Sequence, residues 1–147
     1  MKTSIPILAA LLLLGPSAAH AGRDKAVSLG ELPRRAQQFI REHFPAEEVA
    51  YAARKEREAF DAKYEVVFVG GMKVEFYRNG TWKEVDCRGR SIPKGVVPVP
   101  ILNKVRELYG DVAVQEIDHD RRDFEVRLAN GLELTFDLRY RLLEIDD

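Results

Sequence analysis

Cysteine is nearly missing from this chain: Cys87 stands alone among 147 residues. A single thiol excludes an intramolecular disulfide, so packing alone has to hold the fold. Histidine is scarce as well, three in all, and no Cys/His/carboxylate cluster has the spacing of a structural zinc site. There is no Gly-rich phosphate loop, no Gly-x-Ser-x-Gly elbow and no His-Glu-x-x-His, which removes the familiar signatures of nucleotide binding, serine hydrolysis and zinc proteolysis. Neither sign of charge dominates, with 23 Lys and Arg against 24 Asp and Glu. Nothing in that balance attracts nucleic acid or anionic lipid.

What is present begins with a leader. Met1 to Ala21 has one early cation, Lys2, an apolar stretch from Ile5 to Leu14, a break at Pro16, and Ala19-His20-Ala21 as a small-x-small cleavage site, the pattern of a secretory signal peptide. The apolar stretch is too short to span a bilayer, and Cys87 is remote from the cleavage point, so soluble export to the periplasm or medium is expected. Removing 21 of the 147 residues leaves 126, Gly22 to Asp147, enough for a self-sufficient core.

Within that remainder the chain resembles itself. Tyr64–Asp86 slides by 60 positions onto Phe124–Asp146 without a gap. Glu65/Glu125, Val66/Val126, Gly71/Gly131, Phe76/Phe136, Glu84/Glu144 and Asp86/Asp146 are identical, and six further pairs keep apolar character. About one or two identities would arise by chance, so a duplication is expected. Leu32-Pro33 to Phe44-Pro45 matches Val97-Pro98 to Tyr109-Gly110 at an offset of 65. The difference places an extended, charged hairpin within Arg54–Lys63 of the first half.

Periodicity supplies the elements. Ala36, Phe39, Ile40 and Phe44, and again Ile101, Val105, Leu108 and Tyr109, fall on single helical faces. Pro33 suits a first turn, and Pro45 and Gly110 end the runs. Strands follow from alternation around Tyr64–Val69, Lys73–Tyr77, Phe124–Ala129 and Leu134–Phe136, with Gly70-Gly71, Asn79-Gly80 and Asn130-Gly131 as turns. Less regular strands are expected at Val49–Lys55, Thr81–Asp86, Ala113–Asp118 and Tyr140–Ile145. The expected fold class is therefore α+β: a tandem duplication of helix plus four strands, giving an antiparallel sheet of up to eight strands with two helices packed on one face. Residues 22–96 form the first repeat with its linker and 97–147 the second, joined in one compact domain. The linker Arg88–Pro100, rich in Pro and Gly, is expected to cross the surface in extended form.

The opposite sheet face then carries Glu65, Lys73, Glu75, Tyr77, Glu125, Arg127, Glu133 and Thr135. Such residues ordinarily form a solvated surface of cross-strand pairs; all but Thr135 are taken here as the candidate partner face, with Tyr77 as its aromatic. Trp82 aligns with Leu142 and is assigned to the core. His43 belongs to a helix end, and Asp118-His119-Asp120-Arg121-Arg122-Asp123 reads as a polar hairpin turn. That run lacks the central Gly of a calcium loop. Cys87 reads as a small buried hydrophobe, or else as a reactive thiol.

Leu32-Pro33, Phe39-Ile40, Phe44-Pro45, Tyr64-Glu65-Val66, Asn79-Gly80-Thr81-Trp82-Lys83-Glu84-Val85-Asp86-Cys87, Pro93 and Asn130-Gly131-Leu132-Glu133 resemble the beta-lactamase-inhibitor-like, PepSY-like family of exported bacterial proteins. The resemblance covers nearly the whole exported chain, and Asn79–Cys87 is its most specific part. It implies a fold related to the beta-lactamase inhibitory protein, a periplasmic or secreted location and no established biochemical activity. A shared fold does not transfer inhibition, since function resides in the site. The expectation is a non-enzymatic binding or inhibitor-like module that presents a sheet face or edge to a protein, peptide or envelope partner. It has no catalytic residue, cofactor or metal, binds no nucleic acid, spans no membrane, and is a monomer or weak homodimer. The alternative is a small-ligand, metal or redox-thiol protein using Cys87 and the Asp118–Asp123 turn.

Overall fold

The computed structural model describes residues 24–56 and 62–147; the leader, its cleavage site and the tip of the Arg54–Lys63 hairpin lie outside the described residues. Among the described residues there are nine strands: β1 (Asp24–Val27), β2 (Val49–Lys55), β3 (Ala62–Phe68), β4 (Lys73–Tyr77), β5 (Trp82–Asp86), β6 (Val114–His119), β7 (Asp123–Leu128), β8 (Glu133–Asp137) and β9 (Leu142–Asp146). Each pairs antiparallel with its successor, so one sheet runs in chain order with β1 and β9 at its edges. A 3-10 turn at Leu29–Glu31 leads into helix α1 (Arg34–His43), and helix α2 (Val99–Tyr109) lies between β5 and β6.

This corrects the expected fold class. The described residues form one sheet-dominated fold of nine antiparallel strands with two α-helices, not a tandem duplication of helix plus four strands with two helices packed on a sheet of up to eight strands. The unforeseen strand is β1, whose sequence Asp-Lys-Ala-Val shows no apolar alternation and leaves three residues exposed. Backbone pairing holds it to β2, from Asp24 opposite Lys55 to Val27 opposite Ala52. Main-chain hydrogen bonds are indifferent to side-chain pattern, which is why periodicity does not reveal this strand. Glu84, Val85 and Asp86 of β5 pair directly with Asp118, Ile117 and Glu116 of β6, so strands from before and after α2 share one sheet.

One sheet face fills the core. Val66, Phe68, Val74, Phe76, Val85, Ile117, Val126, Leu128, Leu134 and Phe136 are all buried, each residue of this kind stabilising the fold by roughly 1.5–3 kcal/mol. Ala36 and Ile40 of α1 and Ile101 and Val105 of α2 belong to the same core. The Phe39 ring meets Phe76 edge-on at 5.7 Å between centroids, and Phe44 stacks on Phe68 at 4.8 Å. Proline occupies the N-cap of both helices, and Gly110 at φ 71° ends α2. The 88–100 connection also departs from expectation. Val96 and Val97 are buried in the core, and the Ile92 N–H donates to the Val114 carbonyl at 2.9 Å, so the segment is packed rather than draped: Ile92, Val96 and Val97 turn inward despite the prolines and glycines around them, and Val99 stays exposed.

Candidate functional site

The sheet face turned away from the core is an acidic wall. Alternation sends Glu65, Glu75, Glu84, Asp118 and Glu125 to this side, and the register then stands them opposite one another: Glu65 with Glu75, Glu75 with Glu84, Glu84 with Asp118 and Asp118 with Glu125. Five carboxylates form a row across β3 to β7. It continues through Thr135 of β8 to Glu144 of β9. Like charges directly opposite destabilise a sheet, so the row needs cations between its members. Lys55 Nζ lies 3.0 Å from Glu75 and 3.7 Å from Glu65; Lys73 Nζ lies 3.7 Å from both Glu75 and Glu84. A register shift where Glu75 and Phe76 face β5 leaves Lys83 as an extra residue beside Glu84, and its ammonium reaches Asp118 at 3.1 Å. A parallel row runs Lys73, Asp86, Glu116, Arg127, Glu133 and Asp146. There Arg127 bridges Glu116 at 3.0 Å and Glu133 at 3.5 Å.

Crowding desolvates the middle of the wall. Glu75 is only 8% exposed. Burial pushes its carboxyl up, but the Lys55 hydrogen bond and the Lys55 and Lys73 charges prevail and hold it below the ordinary carboxylate value. Glu84 goes the other way. Burial raises it to about 7, with Glu75, Glu116 and Asp118 adding to the rise against Lys73. Protonated Glu84 can donate to Glu75, and that hydrogen bond is among the causes keeping Glu75 charged. Glu125 is also raised, first by burial and then by Asp118 and Asp123.

Glu84, Asp86 and Glu116 offer one carboxylate oxygen each, all within 4.8 Å of one another. Asp86 faces Glu116 across β5 and β6, and Glu84 is two residues back on the same side of β5. Three converging carboxylates are the ligand type of a hard divalent cation, which takes oxygen donors at roughly 2.3–2.6 Å when it is calcium. None of these three residues is singled out as a metal ligand by the sequence, whose one metal alternative lies in the Asp118–Asp123 turn. The available signal is the pair of acid-x-acid repeats Glu84-Val85-Asp86 and Glu116-Ile117-Asp118, but only the strand pairing brings the two together.

The remaining sequence candidates fall as follows. Glu65, Lys73, Glu75, Glu125, Arg127 and Glu133 occupy the wall. Tyr77 sits at its rim, where its hydroxyl donates to the His119 carbonyl at 2.6 Å and its ring meets His119 edge-on; packing inside the molecule, not display, accounts for much of its area. His119 lies between Trp82 and Phe124 at 4.5 and 5.2 Å, and its Nε2 is 2.7 Å from the Trp82 carbonyl. Asp120 closes the turn by accepting the Arg122 and Asp123 N–H groups. Asp118 is turned to Lys83 on the wall, whereas His119, Asp120 and Arg121 line one open cavity with Tyr77, Arg78 and Thr81. Cys87 is fully buried, and burial, with Asp86 adding, pushes its thiol up to about 11, which favours the protonated thiol over the nucleophilic thiolate at neutral pH. Its N–H pairs with Gln115, four residues short of His119, or about 13 Å along a strand. Cys87 and His119 therefore do not form a thiol and base pair.

The family model described as putative beta-lactamase-inhibitor-like, PepSY-like matches residues 62–144. The chain belongs to this PepSY-like family. A putative calcium-regulated periplasmic protein from Bacteroides thetaiotaomicron is 41% identical, with a TM-score of 0.80 over 84% of this chain and 97% of its own. A putative periplasmic protein of the DUF2874 family from Bacteroides vulgatus is 40% identical, with a TM-score of 0.81 over 86% and 99% of the two chains. A third, a putative periplasmic protein of unknown function from Bacteroides vulgatus, is 31% identical at a TM-score of 0.78. No curated protein matches. The PepSY-like chain is thus periplasmic or secreted, and among the described residues no helix is long and apolar enough to cross a membrane. Neither the family description nor these neighbours' names carry a catalytic role.

Proposed function

We propose that this PepSY-like protein is an exported, non-enzymatic binding module whose working surface is the acidic wall, and that its partner is a protein or peptide with a basic contact surface. The observation behind this reading is the row of five mutually opposed carboxylates on β3 to β7. A sheet face with no role beyond solubility gains nothing from placing like charges in register, and opposite-sign neighbours would stabilise it better. A cationic partner relieves that repulsion, so binding is favoured by charge and accelerated by long-range attraction. Crosslinked capture from the periplasm tests it, comparing the native chain with a Glu125→Lys, Glu133→Lys variant. The expected result is a captured protein that the variant loses. Identical capture by both overturns the reading.

A second reading concerns calcium, and two observations favour it. Glu84, Asp86 and Glu116 converge on one point of the wall, and the 41% identical neighbour is named as calcium-regulated. Under this reading the cation draws the three carboxylates together, cancels part of the wall's charge and so lowers its attraction for a basic partner. Calorimetric titration with CaCl2 is expected to give a dissociation constant on the order of 10⁻⁴–10⁻³ M, the range of exported calcium modules, weakened at least tenfold by Glu116→Gln. Absence of binding, or equal binding by the variant, removes calcium from the site.

A further inference from the structure

The two edges of the sheet are treated differently. β1 is four residues long and includes Asp24 and Lys25, the short, charged kind of edge that resists pairing. β9, Leu-Leu-Glu-Ile-Asp, has neither lysine nor proline. Leu143 is 61% and Ile145 44% exposed. Among the described residues β9 pairs with β8 alone, so the backbone groups on its other side are unmatched.

Both faces of the sheet reach this edge unfinished. On the core side Leu142 stands beside Phe136 and Ile145 beside Leu134, leaving the end of an apolar row partly open. On the wall side Glu144 stands beside Thr135 and Asp146 beside Glu133. Both acidic rows therefore terminate here, and no described cation lies within ion-pair distance of Glu144 or Asp146.

From this we infer that β9 is a strand-addition site for an extended basic segment of another protein, with Lys or Arg on alternate residues and apolar side chains between them. The inference rests on the acidic wall being the working surface and names the part of the partner that meets it. An added strand would use the open backbone edge for affinity and the alternating side chains for selection. Its cations would extend the rows past Glu144 and Asp146, and its apolar residues would cover Ile145. A second copy of this chain fits poorly: β9 against β9 in either direction sets acidic residues of one copy beside those of the other.

The probe is a fluorescent peptide of alternating Lys and Val, (Lys-Val)4, titrated against the exported chain by anisotropy. Two companion peptides carry N-methyl groups on the Lys or on the Val residues, which preserves charge and removes alternate main-chain donors. Strand addition predicts that one methylated peptide binds at least tenfold more weakly while the other keeps most of its affinity. It also predicts that β9 amides exchange more slowly with the parent peptide bound, and that Glu144→Lys with Asp146→Lys weakens binding at least tenfold. Equal binding by all three peptides means attraction by charge alone and overturns the edge assignment while leaving the wall's role standing. Failure of the parent peptide to bind overturns it too, as does self-association of the chain that Ile145→Lys abolishes. Loss of native capture by the Glu125→Lys, Glu133→Lys variant is a separate result that bears on the wall, not on the edge.

Discussion

At the scale of single residues, Glu84 is the group whose chemistry the fold alters most in a way that experiment can read. Its folded value of about 7 stands above the ordinary 4.5 because burial and three neighbouring carboxylates oppose its charge. Between those two values the folded state holds a proton that the unfolded state has released, so stability falls as pH rises through this window. Glu84→Gln is expected to remove that slope. In chelator, the variant should gain about 1–2 kcal/mol over the native chain at pH 8 and nothing at pH 4; urea melts at several pH values measure it. Glu75 has the opposite sign. Held below 4.5 chiefly by Lys55, it contributes stability that is complete above that value and is lost as pH drops. The two carboxylates stand directly opposite each other, yet the lysines are shared unequally: among the described residues Lys55 and Lys73 both reach Glu75, while Lys73 alone reaches Glu84.

At the scale of elements, the β4–β5 turn shows how closely a helix and a hairpin approach. Gly80 has φ 86°, and a Cβ there would stand 2.8 Å from Pro33 Cβ and 3.1 Å from the Ala36 nitrogen at the start of α1. Gly131, in the β7–β8 turn, has a similar φ of 90° but open space around it. Gly131→Ala should cost about 1–2 kcal/mol from backbone conformation alone, and Gly80→Ala at least 1 kcal/mol more because α1 must also shift. Thermal melts of the two variants separate the terms. The strand alternation, the Asn79-Gly80 and Asn130-Gly131 turns and the apolar faces of residues 36–44 and 101–109 are readable in the chain, because each depends on near neighbours, although Leu108, at the margin of its face, is exposed. β1 and the packed 88–100 segment are not, since Asp24–Val27 is held by backbone bonds to a strand some 25 residues away, and Val96 and Val97 are core residues hidden among prolines and glycines.

For the whole molecule, one continuous apolar core joins α1, α2 and strands from both ends of the chain, and β5 and β6 are hydrogen-bonded neighbours in the same sheet. Unfolding is therefore expected to be a single transition. Trp82 fluorescence and far-ultraviolet dichroism should report the same midpoint, and a fragment ending at Val96 should lack a cooperative melt. Two distinct midpoints would show that the halves are independent.

Local order within the chain determines the faces of the strands and the places where they turn, because a period of two and an Asn-Gly pair are both short-range patterns. The neighbours across each strand are a different matter. Sequence places Glu65, Glu75 and Glu125 on one side of the sheet, but only the tertiary pairing stands them in a row with Glu84 and Asp118, gathers Glu84, Asp86 and Glu116 within 4.8 Å, and brings both acidic rows to an open edge at β9. A side chain's face follows from its parity along its own strand, whereas its opposite number is chosen by bulges and hydrogen bonds made with distant parts of the chain.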